Sequence, residues 1–359
     1  MKASAIDLFC GIGGLSYGLK KSGISVVMGV DLDDSCQYAF EKNVRGKFLP
    51  LDIAKLSGAE IKKKYWSDDQ EIKILVGCAP CQPFSTHSNK NKNKNKKKTK
   101  KWRLLDEFQR IVKETNPDIV SMENVPNLAN QKIFQKFVDF LKEKKYFVSY
   151  SYVYCPDYGI PQKRRRLVLL ASKQGDIQLV PPTHSKENYV TLQQAIGSLP
   201  HVEAGKVCES DPLHRTQKLS EINLRRIEAS KPNGTWLDWG EDLKLECHKR
   251  STGNTYKAVY GRMSWNEPSS TITTQFYNYG TGRFGHPTQN RSLTLREAAI
   301  LQTFPIDYKF YQDEKEIRVR NLSVHIGNAV PVDLGLIIGT SIQLHLKKHD
   351  SKRERSILV

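Results

Sequence analysis

The chain has 359 residues, of which 38% are hydrophobic and 26% charged, a composition that fits a soluble globular protein with a large core. No apolar run approaches the roughly 20 residues of a membrane span and no signal peptide precedes the first strand, which argues against a membrane or secreted protein. Seven scattered cysteines favour a reducing, cytoplasmic setting, and the formal net charge of +18 suggests a polyanionic partner such as nucleic acid, unless it reflects only a lysine-biased genome.

Strand and helix signals alternate along the first 175 residues. Strands are predicted at Ser4–Phe9, Val26–Val30, Ile72–Val76, Asp118–Met122, Tyr150–Tyr154 and Leu167–Ala171. Helices are predicted at 11–22, 35–43, 104–115 and 132–145, and again at 294–302 and 332–347. This alternation predicts an α/β fold with a doubly wound, mostly parallel sheet. The weakly periodic stretch from about 176, rich in Gly, Pro, Ser and Thr, predicts a second, smaller and irregular domain.

A glycine-rich turn follows the first strand. Residues 9–16 read Phe-Cys-Gly-Ile-Gly-Gly-Leu-Ser, and glycines there let a ligand lie against the backbone at a helix N-terminus. Asp31 ends the next strand, 20 residues after Gly11, where an acid binds ribose hydroxyls. Ser16 replaces the third glycine of a dinucleotide fingerprint, which weakens an NAD-binding interpretation but not a nucleoside-binding one. An ordinary tight turn is the alternative.

A cysteine follows the third strand on a stiff turn. Residues 77–85 read Gly-Cys-Ala-Pro-Cys-Gln-Pro-Phe-Ser, so Cys81 lies at the sheet edge where open α/β sheets carry their chemistry, which is a position for a nucleophile. Cys78 and Cys81 also have the spacing of a zinc half-site or a redox dithiol. No second cysteine pair completes a zinc site, and Gln82-Pro83 disrupts the helix of a thioredoxin-like site. We predict no metal site; a structural cysteine is a further alternative.

Glu123 closes the next predicted strand and therefore shares the C-terminal edge of the sheet with Cys81. A carboxylate beside a thiolate would be repelled by it, so Glu123 suits a hydrogen-bonding acid toward a substrate ring nitrogen better than a base for the thiol. A strand-end capping acid is the alternative.

Residues 162–166, Gln-Lys-Arg-Arg-Arg, precede the last strand of this region. Strand alternation predicts that Gln162, Arg164 and Arg166 share one face while Lys163 and Arg165 share the other. One face would serve the pocket and the other would meet phosphates, unless the segment is only a solvated basic edge.

Residues 89–101 hold eight lysines in thirteen positions. Such a run predicts a mobile, solvated loop, and a low-complexity insertion without function is the alternative.

Six blocks in order resemble the DNA (cytosine-5)-methyltransferases of bacterial restriction–modification systems. They are Phe9/Gly11/Gly13; Gly77 with Pro80-Cys81-Gln82; Glu123-Asn124-Val125; Gln162/Arg164/Arg166; residues 291–305, from Arg-Ser-Leu-Thr-Leu-Arg to Thr-Phe-Pro; and Gly327-Asn328-Ala329-Val330-Pro331. The resemblance implies an S-adenosylmethionine-dependent, Rossmann-like catalytic domain over 1–175, completed by 325–359. Residues 176–324 would form the target-recognition domain.

The resemblance also implies a mechanism that fits the roles argued above. Cys81 attacks carbon 6 of a flipped cytosine as the thiolate, Glu123 holds or protonates ring N3, and Arg166 with Arg164 grips the O2 edge. Carbon 5 then takes the methyl group of S-adenosyl-L-methionine, and loss of its proton expels Cys81.

The resemblance assigns binding residues as well. The expected cofactor residues are Phe9, Gly11, Gly13, Leu15, Asp31, Asp52, Ile53, Pro80, Asn328 and Val330. The expected DNA contacts are Gln82, Ser85, Lys96, Lys97, Gln162, Arg262, Thr271, Thr273 and Arg283. The expected partners are double-stranded DNA and a cognate restriction endonuclease, and the protein is expected to be a monomer in the bacterial cytoplasm, associated with the nucleoid. The alternatives are a tRNA methyltransferase of the same fold and a DNA-binding protein that has lost catalysis.

Overall fold

The computed structural model describes residues 2–66, 72–80, 95–250 and 257–357, and gives only the backbone at 95–102 and 351–357. The chain forms two compact units. The first comprises Met1–Tyr154, Arg165–Pro182 and Val330–Val359, and the second comprises Cys155–Arg164 and Thr183–Ala329. Unlike the predicted boundaries, this division places the short segment Cys155–Arg164 in the second unit. Target recognition by the second unit stays a prediction.

A seven-stranded sheet forms the centre of the first unit. Its strands are β1 (Ala3–Leu8), β2 (Ser25–Asp31), β3 (Lys47–Pro50), β4 (Ile72–Gly77), β5 (Ile119–Asn124), β6 (Phe147–Tyr154) and β7 (Arg165–Ser172). Their order across the sheet is β3-β2-β1-β4-β5-β7-β6; β1 to β5 pair in parallel, and β7 is antiparallel to both of its neighbours. The predicted doubly wound, mostly parallel sheet is therefore confirmed.

Helices cross between the parallel strands of this unit. They are α1 (Gly14–Lys21), α2 (Gln37–Val44), α3 (Gly58–Tyr65), α4 (Asn95–Thr115) and α5 (Lys132–Glu143). The sequence reading missed β3 and α3, which are short. It was also wrong about 95–101, because α4 begins nine residues before the predicted Leu104 and makes the second half of the lysine run helical. Lysine is a good helix former, and neither glycine nor proline separates the run from the amphipathic part of α4.

The second unit has few regular elements, as predicted for this part of the chain. They are α6 (Leu192–Ile196), β8 (Val207–Cys208), β9 (Asp211–Arg215), α7 (Glu221–Ala229), α8 (Glu246–Lys249), α9 (Leu295–Leu301) and α10 (Val319–Asn328). A fully buried ion pair joins Arg291 to Glu297, with a distance of 2.7 Å between Nη2 and Oε1. Burial opposes ionisation of Glu297, but the charge and hydrogen bond of Arg291, together with His286 and the Thr294 amide, lower the pKa of that carboxyl group overall.

The last helix, α11 (Val332–Ile357), belongs to the first unit and packs directly on α1. A Cβ atom at Gly18 would lie 2.2 Å from the carbonyl oxygen of Val332, and one at Gly335 would lie 2.6 Å from that of Leu15. The two helices approach so closely because glycine faces backbone on both sides. Glycines at positions 18 and 335 therefore allow the C-terminal helix to pack on the first unit, to which its residues belong.

The core of the first unit lies on both faces of β1, β4 and β5. Apolar side chains from the strands pack against α3, α4 and α5, with Phe108, Phe134 and Phe137 among the most buried. By length and composition alone, the described stretch Val319–Asp350 would suffice to cross a membrane. However, 61% of its most apolar window is buried inside the protein, as in a core helix of a soluble protein.

Candidate active site

Two adjacent strand ends bring a thiol and a carboxylate together. Gly77 at the end of β4 pairs with Met122 of β5, so the residues that follow, Cys78 and Glu123, lie level with each other. The Sγ atom of Cys78 lies 2.7 Å from Oε2 of Glu123 and donates to it. Cys78 is partly exposed, whereas Glu123 is only 1% exposed. A buried carboxylate of this kind requires compensating partners.

Arg166 provides the second partner of this carboxylate. In the antiparallel pairing of β5 and β7, Asn124 lies opposite Leu167, so Arg166 is the first residue of β7 beyond the end of β5. Its Nε atom lies 2.7 Å from Oε1 of Glu123, and its side chain is 15% exposed. Both carboxylate oxygens are thus held, one by a cation and one by a thiol, at the carboxyl edge of the sheet.

Asn124, the residue after Glu123, holds the turn that follows β4 by a side-chain hydrogen bond. The side-chain amide of buried Asn124 donates to the carbonyl oxygen of Ala79 at 2.9 Å, and its own oxygen accepts from the Val125 amide at 2.9 Å. Pro80 is exposed at the end of this turn. Cys81, the predicted nucleophile, lies outside the described residues.

The glycine-rich turn after β1 contains residues in left-handed conformations. Gly11 and Gly13 have φ angles of 50° and 90°, and Phe9 between them and the strand has φ 65°. No atom lies within 4 Å of the position that a Cβ of Gly11 would take, so this side of the turn is open. The Gly11 amide donates to Oδ2 of Asp31 at 2.8 Å, which ties the turn to the end of β2.

A buried aspartate beneath this turn was missed by the sequence reading. Asp7 lies in β1 and accepts a 2.6 Å hydrogen bond from the hydroxyl of Ser16 in α1. Burial raises the pKa of Asp7 to about 7, against the opposing effect of the Ser16 hydrogen bond. An acid inside an otherwise apolar strand was the available signal. Ser16, read as a missing glycine, is instead the partner that anchors α1 to the strand.

The other predicted cofactor residues occupy varied positions. Asp52 is partly exposed and accepts from the Ala54 amide at 3.0 Å, so its second oxygen remains available to a ligand. Ile53 and Leu15 are buried, at 4% each, and can offer backbone or an apolar edge. In the first unit Val330 is 5% exposed, and in the second unit Asn328 is exposed at the end of α10.

Gln162 and Arg164 form a buried network within the second unit. The Gln162 amide donates to the carbonyl oxygen of Leu301 at 2.7 Å and to Gln302 Oε1 at 2.6 Å. Arg164 is 3% exposed and donates to the carbonyl oxygens of Ile272 at 3.1 Å and Ala329 at 3.3 Å. The predicted shared face with Arg166 is wrong, because β7 begins at Arg165 and alternation does not reach 162 or 164.

Arg262, a predicted DNA contact, is also buried. Its guanidinium donates to the carbonyl oxygens of Ile227, His286 and Gln289 at 2.8 to 2.9 Å and to the side chain of Asn290. Arginine has five N–H donors, and four of them are held here by acceptors of the second unit. The structure therefore shows structural contacts for Arg262 and Gln162, and their direct contacts to DNA stay predictions.

The remaining predicted DNA contacts divide into three groups. Arg283 is half-buried and donates to the Gly234 carbonyl oxygen at 2.6 Å, and Thr271 donates to that of Lys163 at 2.7 Å. Thr273 is exposed. Gln82 and Ser85 lie outside the described residues, and the side chains of Lys96 and Lys97 do as well.

The sequence of the chain is similar to those of known DNA methylases. A sequence model described as C-5 cytosine-specific DNA methylase matches residues 3–344. The Type II methylase M.HgiDII of Herpetosiphon aurantiacus is 48% identical over 362 aligned positions, which cover 100% of both chains. The Type II methyltransferase M1.BsuMI of Bacillus subtilis (strain 168) is 32% identical over 92% of this chain and 78% of its own.

A likeness to a solved structure supports the fold. A crystal structure described as that of a DNA modification methyltransferase encoded within an E. coli prophage aligns with a TM-score of 0.71 and 23% identity, over 96% of this chain and 100% of that one. Together with the match of the family model over nearly the whole sequence, this fold leads to one assignment. The chain belongs to the C-5 cytosine-specific DNA methylases, enzymes with an S-adenosylmethionine-dependent methyltransferase fold.

Proposed function

We propose that this enzyme transfers a methyl group from S-adenosyl-L-methionine to carbon 5 of a cytosine that is flipped out of double-stranded DNA, through a covalent bond between Cys81 and carbon 6. The observation that carries the proposal is the buried Glu123 carboxylate, paired with Arg166 beside the turn that leads to Cys81. The Type II names of the relatives support a role as the modification enzyme of a restriction–modification system.

Each group has a defined part in this reaction. The Cys81 thiolate bonds to carbon 6 while Glu123 gives a proton to ring N3, so the ring's electron pair moves to carbon 5. Carbon 5 takes the methyl group, and its own proton then passes to water. The electrons of that C–H bond restore the double bond between carbons 5 and 6 and break the bond to sulfur, while N3 returns its proton to Glu123. Arg166 holds Glu123 in place throughout. Flipping the base costs about a few kcal/mol, which contacts to the DNA backbone would have to offset.

The glycine-rich turn and Asp31 fit the cofactor. The open side of Gly11 leaves room for a ligand against the backbone, and Asp31 is partly exposed at the end of β2, where ribose hydroxyls bind. Asp52 would add a hydrogen bond, and Phe9 an apolar contact. S-adenosyl-L-methionine bound there would supply an electrophilic methyl group.

Substitution of Asp31 by alanine is expected to weaken cofactor binding by about tenfold or more, since it removes the ribose acceptor and frees the Gly11 amide. Calorimetric titration with S-adenosyl-L-homocysteine measures the effect. The exposed neighbour Asp34 provides the control, and Asp34→Ala is expected to keep the wild-type affinity. Equal affinities in the two variants would remove Asp31 from the cofactor site.

The lysine run is proposed to add salt-dependent DNA affinity. Lys96 and Lys97 lie at the start of α4, and each phosphate contact that is lost should reduce the slope of log K against log salt by roughly 0.9. The variant Lys96→Ser/Lys97→Ser is therefore expected to bind DNA with a flatter salt dependence, measured by fluorescence anisotropy between low and moderate salt. An unchanged slope would favour a passive insertion.

Bisulfite sequencing of host DNA after expression tests the proposed activity and also reads the target site. We expect protected cytosines at one short recurring sequence. Methyl transfer to duplex DNA should exceed transfer to tRNA, and the reverse would assign the enzyme to RNA. Methylation of this site should also block cleavage by a cognate endonuclease. Genome-wide absence of new protected cytosines would contradict the proposal.

A further inference from the structure

We propose that Cys78 is a positioning residue that tunes Glu123, through a thiol hydrogen bond to the carboxylate oxygen left free by Arg166. This inference rests on the proposed function and adds a role for the first cysteine of the pair, which the sequence presented only as a zinc, redox or structural candidate. The 2.7 Å contact between Sγ and Oε2 carries it, together with the level register of β4 and β5 that places the two residues side by side.

The environment of Glu123 makes this contact consequential. The carboxylate is 1% exposed, so water is not its main partner, and its two oxygens are divided between Arg166 and Cys78. A donor to a carboxylate stabilises the ionised form, and its loss favours the protonated form. The position of Glu123 and its readiness to give up or take a proton therefore both depend on the group at residue 78.

A thiol suits a carboxyl group that changes its protonation state during the reaction. The S–H group is a weak donor, so little is lost when Glu123 carries a proton toward ring N3, and the contact reforms when the carboxylate returns. A hydroxyl at this position is a stronger donor, and an alanine offers none.

The test is the pH dependence of single-turnover methyl transfer to duplex DNA by wild type, Cys78→Ala and Cys78→Ser. The limb of the pH–rate profile that depends on Glu123 is identified as the rise or fall that is lost in Glu123→Gln. We expect this limb to move up by about half to one pH unit in Cys78→Ala and down by a similar amount in Cys78→Ser. Shifts in opposite directions are expected only of a hydrogen-bond donor, because loss of packing alone lowers the rate without moving the limb.

A limb that stays in place in both variants, or moves the same way in both, overturns the inference while the proposed methyl transfer still stands for the wild type. Absence of methyl transfer by the wild type would instead defeat the proposed function. If a Cys78 variant fails to fold, the hydrogen bond between Cys78 and Glu123 is tested by Raman spectra of the wild type and of Glu123→Gln. The S–H stretching band of Cys78 is expected at higher frequency in Glu123→Gln, because a neutral amide is the weaker acceptor, and an unmoved band contradicts the hydrogen bond.

Discussion

Replacement of Cys81 by serine is expected to lower methyl transfer by on the order of 10⁴-fold or more while leaving DNA affinity close to that of the wild type. A free thiol has a pKa near 8.5 and is a few per cent thiolate at neutral pH, whereas a serine hydroxyl is essentially un-ionised and a far weaker nucleophile. Transfer of a labelled methyl group under single-turnover conditions measures the chemistry, and anisotropy with a duplex measures binding.

The matched control is an exposed cysteine of the second unit. Cys247→Ser makes the same atomic change in the short helix α8 and is expected to keep the wild-type rate. Near-wild-type transfer by Cys81→Ser would remove the assigned nucleophile, and a parallel loss of DNA affinity would show that the substitution disturbs binding rather than chemistry.

Substitution of Arg166 by alanine is expected to reduce both stability and activity. The substitution leaves the carboxylate of Glu123, which is 1% exposed, without its cationic partner. Removing one partner of a buried ion pair costs about 3 kcal/mol of unfolding free energy. Because Glu123 also loses its anchor, the rate of methyl transfer is expected to fall by roughly 10² to 10⁴-fold. Urea unfolding and single-turnover kinetics measure the two effects.

Two further variants separate charge from packing. The double variant Arg166→Ala/Glu123→Gln removes the stranded charge, so it should be more stable than Arg166→Ala alone, and the two substitutions should not be additive. Arg225→Ala provides the exposed control, since Arg225 and Asp242 are 55% and 61% exposed and such pairs contribute about 0 to 1 kcal/mol. Additive losses at 166 and 123 would show that the ion pair is not a functional unit.

The strand ends were the part of the site that sequence could predict. Apolar runs that are followed by Gly77 and Glu123 place those residues at the carboxyl edge of a parallel sheet. The glycines after the first strand predict a turn, which a 2.8 Å hydrogen bond from Gly11 joins to Asp31 in the structure. These features follow from local pattern and from the geometry of parallel strands.

The fate of buried polar side chains was not predictable in the same way. Gln162 and Arg262 look like surface groups in a basic sequence, but their donors are satisfied by carbonyls from segments distant in the chain, 139 and 35 residues away for Leu301 and Ile227. Only the tertiary structure brings those carbonyls close. The Cys78 contact depends on the exact end of β4: the predicted strand stops at Val76, whereas β4 extends to Gly77 and thereby places Cys78 level with Glu123.

Covalent trapping tests the central claim most directly. Duplex DNA that contains the target site with 5-fluorocytosine, incubated with the enzyme and S-adenosyl-L-methionine, should become bound to the protein in a complex that survives denaturing electrophoresis, because fluorine cannot leave carbon 5 as a proton does. The adduct should map to Cys81 by mass spectrometry and should be absent in Cys81→Ser. A wild-type enzyme that methylates ordinary duplex but never forms this adduct would contradict the covalent mechanism.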